Sequence, residues 1–530
     1  MSIRGVSAGS GCGSRQRLGP PPDRRASAMN LRGWRAAGVA FLAGALAALA
    51  MPPLYWLPLA VVGMVVFVWL WETAPGPRSA LLRGWAWGTG HFAVGSYWIL
   101  EAFSVPPADY QLLGPPIVAG LAALLGFFPG LAAGASRWAV LRWPRLAGRY
   151  RRLILLAIAW TVAEWLRGHI FTGYPWNPLG HVWAFAAPLL QGAALFGVYG
   201  LGAFTFLVLA APTAGWRASV AALVAIGLAG AAGQAVMTPV GDGGPGPLLR
   251  IVQPNIPQSE KWRPDIRAKH LAKLVDMSRR DGFDRLAAVI WPETAPPFII
   301  EPGSPALEIM AKAAPAAGYL LTGAARGTGE RRDGVWNSLL VIDRAGTIVA
   351  HYDKVHLVPL GEYIPFRRQL APVSGFIGRG SFEEGEQRAT LALPGLPSFS
   401  PVICYEVIFP AAVTGPGERP RWLLNVTNDA WFGLSSGPNQ HLVSARLRAV
   451  EEGLPMIRAA NTGVSAVIDA YGRILAALDM MQEGIIDHRL PEAREPTPYG
   501  RWGDGILVAV LALLGCGLLV GRTSNDRPRR

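Results

Sequence analysis

Seven long apolar stretches are packed into the first 240 residues of this 530-residue chain, and an eighth lies near its end. They fall near 33–50, 55–73, 82–103, 114–136, 152–167, 189–213, 217–237 and 504–521. A helix needs about 20 apolar residues to cross a bilayer core, where each backbone N–H and C=O must be satisfied within the segment. Each stretch approaches that length; 33–50 and 152–167 are short for it and are expected to tilt or to extend by a few residues. The expectation is an α-helical polytopic membrane domain of about eight spans, seven within 29–240 and the last at 504–521.

Composition and charge placement agree. The chain is 51% hydrophobic and 16% charged with 20 Trp, and its mean hydropathy is +0.28, far more apolar than an average soluble protein. A net charge of +14 raises the question of nucleic acid, and the positions of the arginines answer it. Arg4, Arg15, Arg17, Arg24, Arg25, Arg32 and Arg35 precede or edge the first stretch; Arg78 and Arg83 follow the second. Arg137, Arg142, Arg145, Arg149, Arg151 and Arg152 follow the fourth, Arg217 the sixth, and Arg522, Arg527, Arg529 and Arg530 the last. The alternate loops, 51–54, 104–113 and 168–188, hold no Lys or Arg. By the positive-inside rule both termini are then cytoplasmic, and topology rather than nucleic-acid binding accounts for much of the basic excess.

Residues 1–28, rich in Gly, Ser, Pro and Arg, read as a disordered extension without the cleavage pattern of a signal peptide, and Met29 is a second candidate start. "TPVGDGGPGP" at 238–247 reads as a linker. Between it and 495 short Val- and Ile-rich runs alternate with turn residues and with helical stretches at 264–280 and 439–453. "LVIDRAGTIVA" and "AVIDAYGRIL" read as hairpins. This is an α/β domain over 248–495, and seven crossings put it outside the cytoplasm.

That domain contains one thiol, Cys404, the other two cysteines being Cys12 and Cys516. Alone, a cysteine in "PVICYEVIFP" is most simply a small core residue. Three other stretches argue for chemistry. "VIWPETA" sets Glu293 at the end of a strand that Pro292 interrupts. "YDKVHLVPLGEYIP" sets Lys354 and Glu362 in a loop, and Glu406 stands two residues after Cys404, on the same face if the strand persists. The thiolate, not the thiol, is the nucleophile. A carboxylate can take the proton, and a lysine can stabilise both the thiolate and a carbonyl oxyanion. Glu362 and Glu406 would then keep the lysine charged and placed.

"WPET", "DKVHLVPLGEY", "ICYE" and "NDAWFG", in that order, resemble the nitrilase (carbon–nitrogen hydrolase) superfamily, with Glu293, Lys354 and Cys404 at its triad positions. The resemblance implies an α-β-β-α sandwich. The flanking spans, together with "GSYW", "EWLRG", "TGYPWNPLG" and "VQPNIPQSEKW", are similar to the membrane-embedded apolipoprotein N-acyltransferases, over about residues 30–520. That family resemblance implies a bacterial inner-membrane enzyme that takes an acyl chain from a phospholipid onto its cysteine as a thioester. It then passes the chain to the α-amino group of a diacylglyceryl-modified apolipoprotein, without metal or cofactor. Glu293 would be the base and acid, Lys354 the oxyanion partner, and Glu362, Glu406 and Tyr405 supports. Trp262, Asn337 and Trp431 would contact substrate, although Trp431 and Phe432 could equally be core. Glu164 and Arg167 are expensive near a membrane unless they pair with each other. The rival readings are a membrane-tethered amidase that hands the same thioester to water, and a transporter with an external binding domain.

Overall fold

The computed structural model describes residues 33–105, 111–239, 246–329, 334–363 and 382–520. The extension expected over 1–28 and the middle of the linker expected over 238–247 lie outside the described residues. Helices occupy all eight apolar stretches, at Trp34–Ala48, Leu57–Glu72, Pro77–Gly95, Gly114–Arg142, Arg149–His169, Ala193–Ala210, Trp216–Val236 and Gly505–Val520. Among the described residues three are long and apolar enough to cross a membrane, Gln111–Arg142, Ala193–Ala214 and Trp216–Val236; Trp34–Ala48, Leu57–Glu72 and Gly505–Leu519 are apolar but shorter.

Two of the expected spans are interrupted. The 82–103 stretch stops as a helix at Gly95 and resumes as a separate turn at Ile99–Ala102. The 189–213 stretch is split between Ala187–Leu190 and Ala193–Ala210, with Gly197 at φ 66 inside the second piece. Hydropathy cannot see either break, because Gly and Ser leave the apolar average intact while freeing the backbone. Small residues also let the helices approach closely. A Cβ on Gly44 would lie 1.8 Å from the carbonyl oxygen of Trp87, so Trp34–Ala48 and Pro77–Gly95 touch through bare backbone there.

Among the described residues the C-terminal half has fourteen strands: β1 Leu248–Gln253, β2 Ala288–Trp291, β3 Ile299–Ile300, β4 Tyr319–Arg326, β5 Val335–Ile342, β6 Ile348–Asp353, β7 Phe382–Glu383, β8 Leu391–Leu393, β9 Leu396–Ile403, β10 Trp422–Thr427, β11 Met456–Ala460, β12 Ser465–Ile468, β13 Ile474–Leu478 and β14 Gly484–Arg489. One sheet runs β14-β1-β2-β4-β5-β6, with β3 beside β4 and β7 beside β5; the other runs β13-β12-β11-β10-β9-β8. The middle strands β1, β2 and β4 are parallel, as are β9, β10 and β11. Both expected hairpins form, β5 with β6 and β12 with β13, antiparallel. Their turns share one device. Asp343 Oδ1 accepts from the backbone N–H of Ala345 and Thr347 at 2.9 Å each, and Asp469 Oδ1 does the same for Tyr471 at 3.0 Å and Arg473 at 2.9 Å.

Ile251, Ile290, Leu321 and Leu339 of the first sheet face Phe399, Ile403, Leu424 and Ile457 of the second across a shared core. Helices Arg267–Ser278 and Pro305–Ala311 cover the outer face of the first sheet through Leu271, Leu274, Leu307 and Met310. Helix Gly437–Glu452 covers that of the second through Leu442, Ala445 and Ala449. The layers are α-β-β-α, as expected. The second outer layer is itself covered, since Trp98 and Trp176 from the helical half pack into the same apolar cluster.

The helix contact at Gly44 gives a test. Gly44→Leu should force the two helices apart and cost about 1–3 kcal/mol, read as a lower unfolding midpoint in detergent. Gly38→Leu, where a Cβ has no neighbour within 4 Å, should leave the midpoint unchanged.

Candidate active site

Three strand ends converge. β2 stops at Trp291 because Pro292 has no N–H for the ladder, and Glu293 follows, leading into Thr294 at φ 46. Gly323 of β4 lies beneath, where a Cβ would come within 2.4 Å of Glu293 Cα, so only glycine lets the turn sit that low. β6 ends at Asp353, and Lys354 comes next with its N–H on the carbonyl of Asn337 at 2.8 Å. β9 ends at Ile403; Cys404 has φ 48 and opens a 3-10 turn, Cys404–Ile408. A positive φ at a non-glycine residue is costly and persists only where its surroundings hold it.

The side chains form one buried cluster. Lys354 Nζ lies 2.8 Å from Glu362 Oε2 and 3.5 Å from Glu293 Oε1. Asn337 divides its amide protons between the two carboxylates, donating to Glu293 Oε1 at 2.7 Å and to Glu362 Oε1 at 2.8 Å. The other oxygens are also taken: Asn428 N–H donates to Glu293 Oε2 at 2.9 Å, and Val358 N–H to Glu362 Oε2 at 2.8 Å. Burial alone would favour a neutral Lys354 amine, but Glu362 and then Glu293 outweigh it and hold the ammonium above the usual lysine range.

Cys404 goes the other way. Burial first, then the charge of Glu293, pushes its thiol well above the usual range, against Lys354 and a hydrogen bond with Thr427. At neutral pH the group is therefore a thiol, with a carboxylate and a fixed cation close enough for their charges to act on it. A thiol in this state needs a neighbouring base to become a nucleophile.

Glu406 does not do what its spacing suggests. Because the strand gives way to a turn after Ile403, the two-residue alternation fails and the carboxylate turns away from Lys354. Its Oε1 accepts from Tyr352 OH at 2.8 Å and from the N–H groups of Val355 at 2.9 Å and His356 at 3.2 Å. Its Oε2 accepts from Ile403 N–H at 2.7 Å, and Arg388 Nη1 stands 3.6 Å from Oε1. Glu406 ties the residues flanking Lys354, Tyr352 through its hydroxyl and Val355 and His356 through their backbone N–H, to the residue before Cys404. Tyr405 donates to the carbonyl of Gly173 at 3.3 Å, in the loop after helix Arg149–His169. Asn337, expected to touch substrate, is buried as the divider between Glu293 and Glu362. Trp262 and Trp431 are 41% and 42% exposed, at the surface. Phe432 instead packs edge-on against Trp98, centroids 4.5 Å apart.

Several members escaped the sequence reading. Asp429 lies behind Cys404, bonded to Thr427 at 2.9 Å, Arg458 at 2.7 Å and His441 at 2.9 Å. Burial would raise its carboxyl, but Arg458 and His441 outweigh that and hold it at about 2. His441 Nε2 lies 3.1 Å from the carbonyl oxygen of Cys404. Lys261 is 1% exposed and donates to the carbonyl of Glu293 at 3.1 Å and to Thr294 Oγ1 at 2.8 Å. Asp429 stands in "NDAWFG" and Lys261 in "QSEKW", where neighbouring tryptophans are exposed and no local pattern marks either charge as buried.

Two domain families match the chain. The apolipoprotein N-acyltransferase N-terminal domain matches residues 43–211, and the carbon-nitrogen hydrolase domain residues 248–499. The apolipoprotein N-acyltransferase of Rhodopseudomonas palustris is 38% identical over 520 residues, spanning 91% of this chain and 95% of its own. That of Bradyrhizobium diazoefficiens is 40% identical over 521 residues, with 91% and 95% covered, and that of Brucella melitensis 40% over 514, with 91% and 94%. Among solved structures, an amidase from Nesterenkonia sp. overlaps 48% of this chain and 94% of its own at 18% identity, with a TM-score of 0.35.

The new role for Glu406 is testable. Glu406→Gln turns an all-acceptor group into one whose amide protons face N–H donors, leaving at least one buried donor unmet at about 1–3 kcal/mol. Slippage of Lys354 against Cys404 by about 1 Å should then lower activity by about 10²-fold. Unfolding midpoints and acyl-transfer rates measured on the same preparation check both.

Proposed function

The chain belongs to the apolipoprotein N-acyltransferase family and is an N-acyltransferase of lipoprotein maturation, and on that premise we propose that Cys404 carries the acyl group between two lipids as a thioester. Glu293 takes the proton from Cys404, and Sγ attacks the sn-1 ester carbonyl of a phospholipid. Lys354 faces the oxyanion of the tetrahedral intermediate. The C–O bond breaks, Glu293 returns the proton to the departing alkoxide, and a lysophospholipid leaves. In the second half the α-amino group of an S-diacylglyceryl-cysteine attacks the thioester, Glu293 takes the amine proton, and the C–S bond breaks to give an amide and, after reprotonation, the resting thiol. Trp262 and Trp431, exposed near the cluster, would meet the lipid chains.

One observation carries this reading: a half-buried thiol kept protonated by its surroundings, with a hydrogen-bonded carboxylate and a paired lysine acting on it. Its attachment to the apolar helices supports a lipid substrate, through Tyr405 on Gly173 and through Trp176 stacked on His441 with centroids 5.6 Å apart. The topology we propose has eight spans, both termini in the cytoplasm and the sandwich on the outer face of the inner membrane, where both lipid head groups lie. The eight helices and the arginine-bearing alternate loops are its support.

Incubation with phospholipid should add one acyl mass to Cys404, removable by hydroxylamine; no adduct, or an equal one on Cys404→Ala, defeats the thioester. Glu293→Gln should slow adduct formation by about 10²–10⁴-fold with folding intact. A diacylglyceryl-cysteine peptide should discharge the adduct as an N-acyl product. Release of free fatty acid alone would instead make the protein a hydrolase.

A further inference from the structure

Among the described residues sixteen buried side-chain nitrogens and oxygens have no hydrogen-bond partner in the protein, and five of them belong to residues lining one cavity of the helical half. The cavity measures about 20 Å³ and lies between helices Pro77–Gly95, Gly114–Arg142 and Arg149–His169, with Asn177 and Leu179 completing its wall. The five atoms are Trp160 Nε1, Arg167 Nη2, Glu164 Oε2, Asn177 Oδ1 and His91 Nδ1. Every one of these residues is more than nine-tenths buried, Glu164 at 7% being the most exposed. None takes part in the acyl transfer above.

Their other bonds keep three of these side chains from turning elsewhere. Arg167 gives Nη1 to the carbonyls of Tyr174 and Trp176, and Glu164 Oε1 accepts from Leu179 N–H at 3.0 Å. Asn177 Nδ2 donates to the Gly95 carbonyl at 3.1 Å, which also fixes the other end of that amide as the oxygen. Arg167 Nη2 and Glu164 Oε1 stand 3.7 Å apart, beyond hydrogen-bond reach. Helix Ala193–Ala210 gives Glu164 no partner either: its Gly202 lies where a Cβ would come within 2.7 Å of Oε2. A polar separation of this kind is where a water sits between.

We propose that this cavity is a built water site, whose occupant bridges Arg167 and Glu164 inside the helix bundle. The count of donors and acceptors selects the ligand. Trp160 Nε1 and Arg167 Nη2 only donate, Glu164 Oε2 and Asn177 Oδ1 only accept, and His91 Nδ1 does either according to its tautomer. Water accepts two hydrogen bonds and donates two, which is the complement of that set. The size agrees, since each water needs roughly 10–15 Å³ of such space: one fits, two at most, and a lipid head group does not. The water completes an ion pair that is otherwise costly among apolar helices, and a buried polar network is rigid only when every member is satisfied. Arg167 is the group that holds the Trp176 carbonyl at 2.8 Å, and the Trp176 ring stacks on His441 behind Cys404.

The full-length wild-type protein tests this directly. A structure in lipid, at a resolution that shows ordered water, is expected to have water-sized density within hydrogen-bond distance of Arg167 Nη2 and Glu164 Oε2. An empty cavity, density too large for water, or density that touches neither atom overturns the site. X-ray radiolysis in detergent gives a second reading, because hydroxyl radicals formed from a bound water attack the side chains around it. Trp160 and Trp71 are both almost fully buried, but the indole N–H of Trp71 is taken by the Ala133 carbonyl at 3.0 Å. Peptide mass spectrometry should find Trp160 oxidised several-fold faster than Trp71; equal rates overturn the proposal. In A163V added methyl groups enter the cavity while its five polar residues stay, since Ala163 lines it. Trp160 oxidation should then fall to the Trp71 rate, and a rate unchanged from wild type counts against the water. If A163V does not fold, the wild-type density and the ratio of Trp160 to Trp71 decide alone.

Discussion

A single carboxylate, that of Glu406, fixes the two sheets against each other at the site. It is fully buried, and an unpaired buried charge would cost several kcal/mol. Four donors offset that cost: the N–H groups of Ile403, Val355 and His356 and the hydroxyl of Tyr352. Ile403 closes the last turn of β9 in the second sheet, whereas Tyr352, Val355 and His356 bracket Lys354 at the end of β6 in the first. The ammonium and the thiol therefore share one anchor although they come from different layers. The same anchor bears on the positive φ of Cys404, because the 3-10 turn that contains both residues is drawn back onto Ile403. Strain at Cys404 and placement of Lys354 are two consequences of one set of hydrogen bonds.

The electrostatics of the cluster depend on that geometry. Two carboxylates so close would repel and draw protons if they had no common partners. Asn337 gives each of them one amide proton, and Lys354 stands within 3.5 Å of one and 2.8 Å of the other. Removing the lysine would leave buried charge uncompensated, which for a buried pair costs about 3–5 kcal/mol. With the anions satisfied, the least costly state of the thiol is neutral. The same arrangement protects a free thiol against oxidation, which also proceeds through the thiolate.

Much of this was legible in the sequence and some was not, for physical reasons. Pro292 ending a strand, the apolar run around Cys404 and the two hairpins are local signals, and each corresponds to a strand end or turn in the structure. The partner of Glu406 was not legible, because strand alternation predicts the face of a side chain only while the strand continues, and β9 stops at Ile403. Asn337 has the pattern of an ordinary strand residue, and nothing in "VWNS" says that its amide divides two glutamates. Lys261 was overlooked because lysine is rarely buried and is read as solvated by default. The helix breaks at Gly95 and Gly197 were invisible to hydropathy, which averages over residues and does not register backbone angles.

The helical half also sets the position of Cys404. Gln440 Oε1 accepts from the indole N–H of Trp98 at 3.1 Å and of Trp176 at 2.8 Å, and its Nε2 donates to the Pro52 carbonyl at 3.3 Å. The next residue, His441, stacks on Trp176 and reaches the Cys404 carbonyl. Trp176 is held in turn by Arg167, whose Nη1 donates to its carbonyl at 2.8 Å and to that of Tyr174. Arg167 and Glu164 do face each other, 3.7 Å apart, while Glu164 Oε1 also accepts from Leu179 N–H at 3.0 Å. The charged pair on helix Arg149–His169 is therefore more than self-neutralising. It holds both ends of the 174–179 segment, and that segment bears on the helix behind Cys404. A charge is costly among apolar helices, and here the cost is met where those helices have to be rigid with respect to Cys404.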